Sequence, residues 1–289
     1  MNILEQMEHF YIITNQLKDP EYKTTYWIRD YLEGKDKRCT LQGSTDKAGE
    51  GYTDQDWVPQ DVDCILVLGG DGTLLQAAVD LADRDIPFLG INFGKLGFLA
   101  EVEKTDIENA LNRLINGDYG IENRMMILGE IYDSNGKIED TKALNDIVIS
   151  RKGSLKIVSF SIYVNGQFLN RYNGDGVILS TPTGSTGYNL SVGGPIVEPG
   201  AQMILVSPIS PHSMQSRSIV LSAEDEIIIE IGSSREGKSQ EVEVIFDGSH
   251  KVCVCTGETV KVCKSDKTTA IVKLSKDSFL TILHKKMAE

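Results

Sequence analysis

The rhythm of hydrophobic and polar positions changes once along this chain, near residue 119. Before that point, short apolar runs alternate with segments whose apolar residues recur three and four apart. HFYIIT (residues 9–14), DCILVL (63–68) and IPFLGI (86–91) read as buried strands, and residues 20–32, 73–82 and 106–115 carry the helical period. Alternation of this kind predicts an α/β domain with a largely parallel sheet covered on both faces. Residues 37–57, rich in Gly, Asp, Lys and Thr, follow neither period and are expected to form a mobile loop.

After residue 119 the pattern becomes short β-branched runs broken by turn residues: MILGEIYD, ALNDIVISR, FSIYVNGQFLNRY, GVILST, IVLSAEDEIIIEI, EVEVIFDGS and TAIVKLS. That is the pattern of an all-β, sandwich-like domain. Asn165-Gly166, set between two alternating runs, predicts a two-residue hairpin turn. Residues 279–287 suit a short helix whose apolar face has to pack on one of the domains. The expected organisation is an N-terminal α/β domain over 1–118, a C-terminal β domain over 119–268 and a C-terminal segment over 269–289.

A length of 289 residues suits two domains, and 40% hydrophobic with 25% charged residues is ordinary for a soluble protein. No apolar run approaches the roughly 20 residues a membrane helix needs. The start, MNILEQMEHF, has acidic residues where an export signal carries basic ones, so a cytoplasmic location is expected. The net charge of −13 opposes binding to nucleic acid or to an anionic membrane, yet leaves room for a small phosphate ligand held by local amides and a metal ion. The five cysteines, Cys39, Cys64, Cys253, Cys255 and Cys263, form no zinc-type pairs. Cys253 and Cys255 share one face of a strand, where a reduced packing role is expected.

The strongest chemical signal is LVLGGDGTLLQAA, a buried strand passing through Gly69, Gly70, Asp71, Gly72 and Thr73 into a helical pattern. Glycines at a strand end let the backbone approach a ligand, and the free amides of the next helix favour phosphate. The sequence is neither a Walker A loop nor a spaced dinucleotide fingerprint. A carboxylate inside a phosphate cradle is repelled unless it takes a proton or binds a cation, so Asp71 reads as catalytic or Mg²⁺-linked, with helix capping as the alternative. A second glycine turn, residues 90–99, comes after the next strand. Its Asn92 reads equally as a lining residue or a turn residue.

Downstream, residues 144–146 (LND), 173–176 (NGDG) and 180–191 (STPTGSTGYNLS) carry polar groups at strand ends. The last offers amides, hydroxyls and one aromatic ring, which suits a phosphate-sugar-base ligand. Asp146 and Asp175 are candidates for gripping ribose hydroxyls, since a carboxylate accepts two hydrogen bonds from a vicinal diol.

In chain order, GGDGTLL (69–75), LND (144–146), GDGVILSTPTGSTGYNLSVGGPIV (174–197) and FDGS (246–249) resemble the signature of NAD kinases over residues 60–260. GGDGT alone is shared with lipid kinases; the TPTGST segment separates the branches. The resemblance implies phosphoryl transfer from ATP, another nucleoside triphosphate or polyphosphate to the 2′-hydroxyl of the adenosine ribose of NAD, with Mg²⁺ or another divalent cation. It implies NAD in a cleft between the domains, the final segment packed back on the first domain, and a homo-oligomer, dimer or tetramer. By resemblance, Asp71 is the general base, Gly69, Gly70, Gly72 and Thr73 form the phosphate cradle, and the metal's ligands stay unassigned. Contacts to NAD fall on Asp71, Gly72, Asn145, Asp146, Lys156, Asn173, Asp175, Thr186, Gly187, Tyr188, Asn189, Leu190, Ser191 and His250. The chain departs from the pattern at Gly187, where alanine is commoner, at Asn173, where many members have arginine, and at Asp146, where glutamate is more usual. A lipid kinase and a non-catalytic NAD-binding regulator are the alternatives; the hydroxyl-rich loop opposes the first and the intact GGDGT the second.

Overall fold

The computed structural model describes residues 6–43, 53–94, 97–153, 157–213, 216–234, 237–275 and 278–287. The chain divides into two compact units, Met1–Arg124 with Thr268–Glu289, and Met125–Lys267.

Unit one opens with β1 (His9–Thr14), α1 (Lys23–Glu33), β2 (Arg38–Leu41), β3 (Cys64–Gly69), α2 (Asp71–Asp80), β4 (Phe88–Asn92), β5 (Val102–Glu103) and α3 (Ile107–Ile115). The strands lie parallel in the order β5-β4-β3-β1-β2. Alternation along β1 and β3 sends Phe10, Ile12, Leu66 and Leu68 to one face, where Ile28 and Leu32 of α1 and Ile107, Leu111 and Leu114 of α3 cover them. The helix α2 covers the other face: a Cβ on Gly90 of β4 would stand 2.9 Å from its Leu74 Cδ1. The segment expected to be a loop over 37–57 contributes β2, a parallel edge strand paired with β1, and a short helical turn at Gln55–Trp57. Its polar composition reflects an edge position, where one face is solvated; residues 44–52 lie outside the described set.

Element starts obey local chemistry. The helix α1 begins at Lys23, three residues after the start its sequence period suggests, because Tyr22 takes a left-handed conformation (φ 52°) and Asp19 caps the first helical turn. Buried Asp19 accepts hydrogen bonds from the Thr25 amide (3.0 Å), the Thr25 hydroxyl (2.9 Å) and, at 3.4 Å, the Thr24 amide.

Two long strands carry the chain between units, β6 (Gly120–Asp133) outward and β17 (Thr259–Lys273) back. Unit two adds β7 (Gly136–Ala143), β8 (Asp146–Arg151), β9 (Val158–Val164), β10 (Gln167–Gly174), β11 (Gly176–Ser180), α4 (Tyr188–Ser191), β12 (Met203–Ile209), β13 (Ile219–Ser222), β14 (Ile227–Ile231), β15 (Glu241–Phe246) and β16 (His250–Cys255). One antiparallel sheet runs β13-β12-β11-β8-β15-β16; against it lie β10-β9-β14-β17 and the β6-β7 hairpin. Ile147, Ile149, Val177, Leu179, Val244 and Phe246 from the first meet Phe160, Ile162, Ile227, Ile229, Val260 and Val262 from the second in one core, which makes unit two a sandwich. Asn165 (φ 50°) and Gly166 (φ 75°) form the expected hairpin turn between β9 and β10.

One packing expectation fails. Cys253 and Cys255 share a face of β16, but that face is exposed, and Val252 and Val254 point to the core instead. The strand alternates so that its β-branched residues meet the opposite sheet. The final helix α5 (Phe279–Met287) is set against unit one through Phe279, whose ring lies 6.5 Å from that of Phe98, while Leu280 and Met287 remain exposed.

Replacing Asp19 by Ala removes a buried cap and strands three donors. A loss of about 2 kcal/mol and a melting temperature lower by roughly 4–8 °C are expected in thermal denaturation.

Candidate active site

In unit one, β3 ends at Gly69, Gly70 stays extended, and α2 begins at Asp71 without any side-chain cap, so its first turn is left for another acceptor. A Cβ on Gly72 would meet nothing within 4 Å; the protein keeps that surface bare although packing does not demand it. Thr73 is tied from behind, its hydroxyl receiving the Asn15 side-chain amide at 3.1 Å. The Asp71 carboxylate turns toward the second glycine turn. It accepts from the amides of Phe98 (2.9 Å), Ala100 (3.1 Å) and, more distantly, Leu99 (3.4 Å). Three of its about four lone-pair positions are thereby occupied, which fixes the group while leaving one direction open. The approach is so close that a Cβ on Gly97 would fall 2.0 Å from Asp71 Oδ1. Asn92 is buried and accepts the Gly94 amide at 2.9 Å, a turn role.

In unit two, a residue outside the sequence-derived set organises the site. The buried Asp247 carboxylate accepts the amides of Leu144 (2.7 Å), Asn145 (2.8 Å) and Asp146 (2.9 Å), and its own amide returns to the Asp146 carbonyl at 3.0 Å. The segment 144–146 is therefore clamped along its backbone, and its side chains project from a fixed frame. The Asn145 Oδ1 is buried without a hydrogen-bond partner among the described residues. The Asp146 carboxylate is buried, the residue 7% exposed, and receives no hydrogen bond among the described residues. Burial, then the neighbouring Asp247 charge, pushes the Asp146 carboxyl up to about 7. Burial also pushes Asp247 up to about 6, against the pull of its three amides. An unsatisfied buried oxygen beside a largely buried carboxylate that collects no hydrogen bond among the described residues offers a place for a donor-rich ligand.

The hydroxyl-rich loop packs on the same segment. The Thr181 amide donates to the Asn145 carbonyl (2.8 Å) and its hydroxyl to the Leu144 carbonyl (2.6 Å), while a Cβ on Gly184 would fall 2.2 Å from the Asn145 oxygen. Asn189 is fully buried. Its amide nitrogen bonds the Ser185 and Pro195 carbonyls and its oxygen accepts from Ser207, so this side chain is spent on holding the loop. With Asn189 as the pin, Tyr188 and Leu190 are left 46% and 44% exposed, beside exposed Gly187 and Ser191 and half-buried Thr186.

These motifs, distant in sequence, belong to two recognisable domains. Residues 14–119 match the ATP-NAD kinase N-terminal domain, and residues 144–274 the ATP-NAD kinase C-terminal domain. The chain belongs to the NAD kinase family. An NAD kinase of Lachnospira eligens is 43% identical over 293 residues, 97% of this chain and 100% of that one. One of Agathobacter rectalis is 44% identical over 97% and 99% of the two chains. The fold matches a yeast NADH kinase complexed with NADH (TM-score 0.84, 24% identity, 98% of this chain and 88% of the other). It also matches an Archaeoglobus fulgidus NAD kinase in complex with ATP (TM-score 0.75, 24% identity, 97% and 99%). A lipid kinase and a non-catalytic regulator are thus set aside.

The remaining sequence-derived residues of this NAD kinase are spread over the strands and loops of unit two. Asp175 pairs with the Arg151 guanidinium at 2.9 Å, so the basic group beside it comes from β8. Asn173 lies half-buried in β10, its carbonyl accepting the His212 amide. His250 is exposed and paired with Glu139. Lys156 lies outside the described residues. Asp247 was visible in the FDGS motif but carried no mark of its clamp; nothing near Arg151 in sequence pointed to Asp175. No helix among the described residues is long and apolar enough to cross a membrane.

Asp146 and Asp247 hold protons more tightly folded than unfolded. The stability this lends is complete below the ordinary carboxylate range, near pH 4, and is lost as pH rises through about 6 to 7. Asp146→Asn is neutral throughout, so its melting temperature should exceed the parent's by roughly 3–10 °C at pH 8 and converge with it near pH 4.5. Calorimetric scans across pH test this.

Proposed function

We propose that this NAD kinase phosphorylates the 2′-hydroxyl of the adenosine ribose of NAD, with Asn145 and Asp146 gripping the acceptor and Asp71 serving as general base. The observation that carries the assignment is the buried, unsatisfied Asn145 oxygen next to the largely buried Asp146 carboxylate, both on a clamped backbone, with neither hydrogen-bonded among the described residues. A ribose presents hydroxyl donors at the spacing a carboxylate accepts, and such a ligand removes the cost of leaving those groups unpaired. Exposed Tyr188 and Leu190 supply apolar surface for a base, and Thr186, Gly187 and Ser191 supply polar contacts around it. Asp175 acts with Arg151, while Asn173 and His250 are peripheral contributors.

In the reaction the ribose 2′-oxygen attacks the terminal phosphorus of ATP, the bond to the bridging oxygen of ADP breaks, and the hydroxyl proton passes to Asp71. Phosphoryl transfer depends on positioning and charge stabilisation, which the rigid Asp71 carboxylate and the uncapped start of α2 serve. The ATP reading is supported by the family's description and by the ATP-bound relative. Mg²⁺ is expected on the donor's phosphates. Among the described residues no group of three or more His, Cys, Asp or Glu is set to hold a metal, so no step is assigned to it. Assembly into a dimer or tetramer belongs to the same proposal and rests on the family resemblance; sedimentation velocity reports it.

Asp71→Asn should lower kcat for NADP formation by about 10²- to 10⁴-fold while NAD affinity, measured by calorimetry, changes little. Turnover near that of the parent would remove the base role.

A further inference from the structure

The turn between β1 and α1 brings a cation to the phosphate cradle that none of the motifs contains. This turn is pinned at both ends. At its start, the Asn15 amide donates to the Leu68 carbonyl (2.8 Å), its side chain reaches Thr73, and its Oδ1 accepts the Leu17 amide (3.0 Å). The Asn15 carbonyl accepts the Lys18 and Asp19 amides at 2.9 and 3.1 Å. At its end, buried Asp19 is locked onto the first turn of α1. Lys18 lies between the two anchors, and its side chain runs across the glycine turn. The ammonium sits 3.4 Å from the Gly69 carbonyl, 2.9 Å from where a Cβ on Gly70 would stand, and 3.8 Å from the same point on Gly94.

Two features separate Lys18 from an ordinary surface lysine. Among the described residues its ammonium makes one hydrogen bond, the long one to Gly69, and pairs with no carboxylate, in a chain where acidic residues outnumber basic ones 42 to 29. Its backbone is also fixed to the same Asn15 whose side chain holds Thr73 of the cradle. A point charge with three donors, held over a bare glycine turn at an uncapped helix start with only the Gly69 carbonyl as a partner among the described residues, complements an oligophosphate.

We infer that Lys18 binds the phosphates of the phosphoryl donor at the Gly69-Gly70 turn and stabilises the charge on the transferring group. This assignment rests on the phosphoryl-transfer reading above. Because Asn15 and Asp19 hold the turn before the donor arrives, little reorganisation accompanies binding. The ammonium exchanges a weak carbonyl contact for charged phosphate oxygens.

The test uses the full chain with Lys18→Ala and Lys18→Arg, varying Mg·ATP at saturating NAD and then NAD at saturating ATP, with Mg·ATP affinity measured in parallel by calorimetry. Lys18→Ala should lose about 10²-fold in kcat/KM for ATP and bind Mg·ATP more weakly, with the KM for NAD within about 3-fold of the parent's and an unchanged melting temperature. Lys18→Arg should restore most of the ATP affinity, since it keeps the charge. Unchanged Mg·ATP affinity and kcat/KM in Lys18→Ala, or a loss expressed only in the KM for NAD, would overturn the assignment. A parent chain that forms no NADP from any donor defeats the reading beneath it instead, and the calorimetric comparison still decides whether Lys18 holds the triphosphate.

Discussion

A carboxylate removed from water must be given hydrogen-bond donors, and three aspartates in this chain meet that need with backbone amides. Asp19 collects the first amides of α1, Asp71 those of residues 98–100, and Asp247 those of 144–146. Each ties a strand end or helix start to another segment of the chain, at separations of 5 to 103 residues. The loops that carry the chemistry are therefore rigid although they lack regular structure. Their geometry is set by where these carboxylates sit, and the glycines at 97 and 184 are there because a Cβ would collide with the clamped groups.

Asp146 is the exception to this arrangement. As a residue it is buried like Asp19 and more so than half-buried Asp71 and Asp247, faces Asp247 electrostatically, and collects no donor of its own among the described residues. The unpaired Asn145 oxygen beside it repeats the pattern. Leaving the Asn145 oxygen unsatisfied lowers stability, and so does ionising desolvated Asp146 beside Asp247 as pH rises through about 7. Under the proposed assignment, a ligand with paired hydroxyls reverses that loss and gains binding energy from it.

The hydroxyl-rich loop shows a division of labour within a few residues. Asn189 and Ser185 face inward and are consumed by internal hydrogen bonds, while Tyr188 and Leu190, on either side of Asn189, face outward. The loop's composition marks it as polar and ligand-directed, yet composition treats Asn189 and Tyr188 alike. Only the direction of each side chain separates the anchor from the surface it presents.

Local pattern was sufficient for the strands expected at 9–14 and 63–68, the longer helices α1, α2, α3 and α5, the Asn165-Gly166 turn and the change from an α/β to a β rhythm, because burial periodicity and turn chemistry are short-range properties. The ordered glycine and aspartate motifs likewise carried the family and its chemistry. Other features were decided only by tertiary structure. The edge strand at Arg38–Leu41 exists because β1 offers it a partner, and the face of β16 that holds Cys253 and Cys255 is exposed because valine packs better against the opposite sheet. The clamp on residues 144–146 comes from Asp247, about a hundred residues away. Lys18 reaches the glycine turn across a parallel sheet that places β1 beside β3. Each depends on which strands become neighbours, and that is fixed by the packing of the whole core.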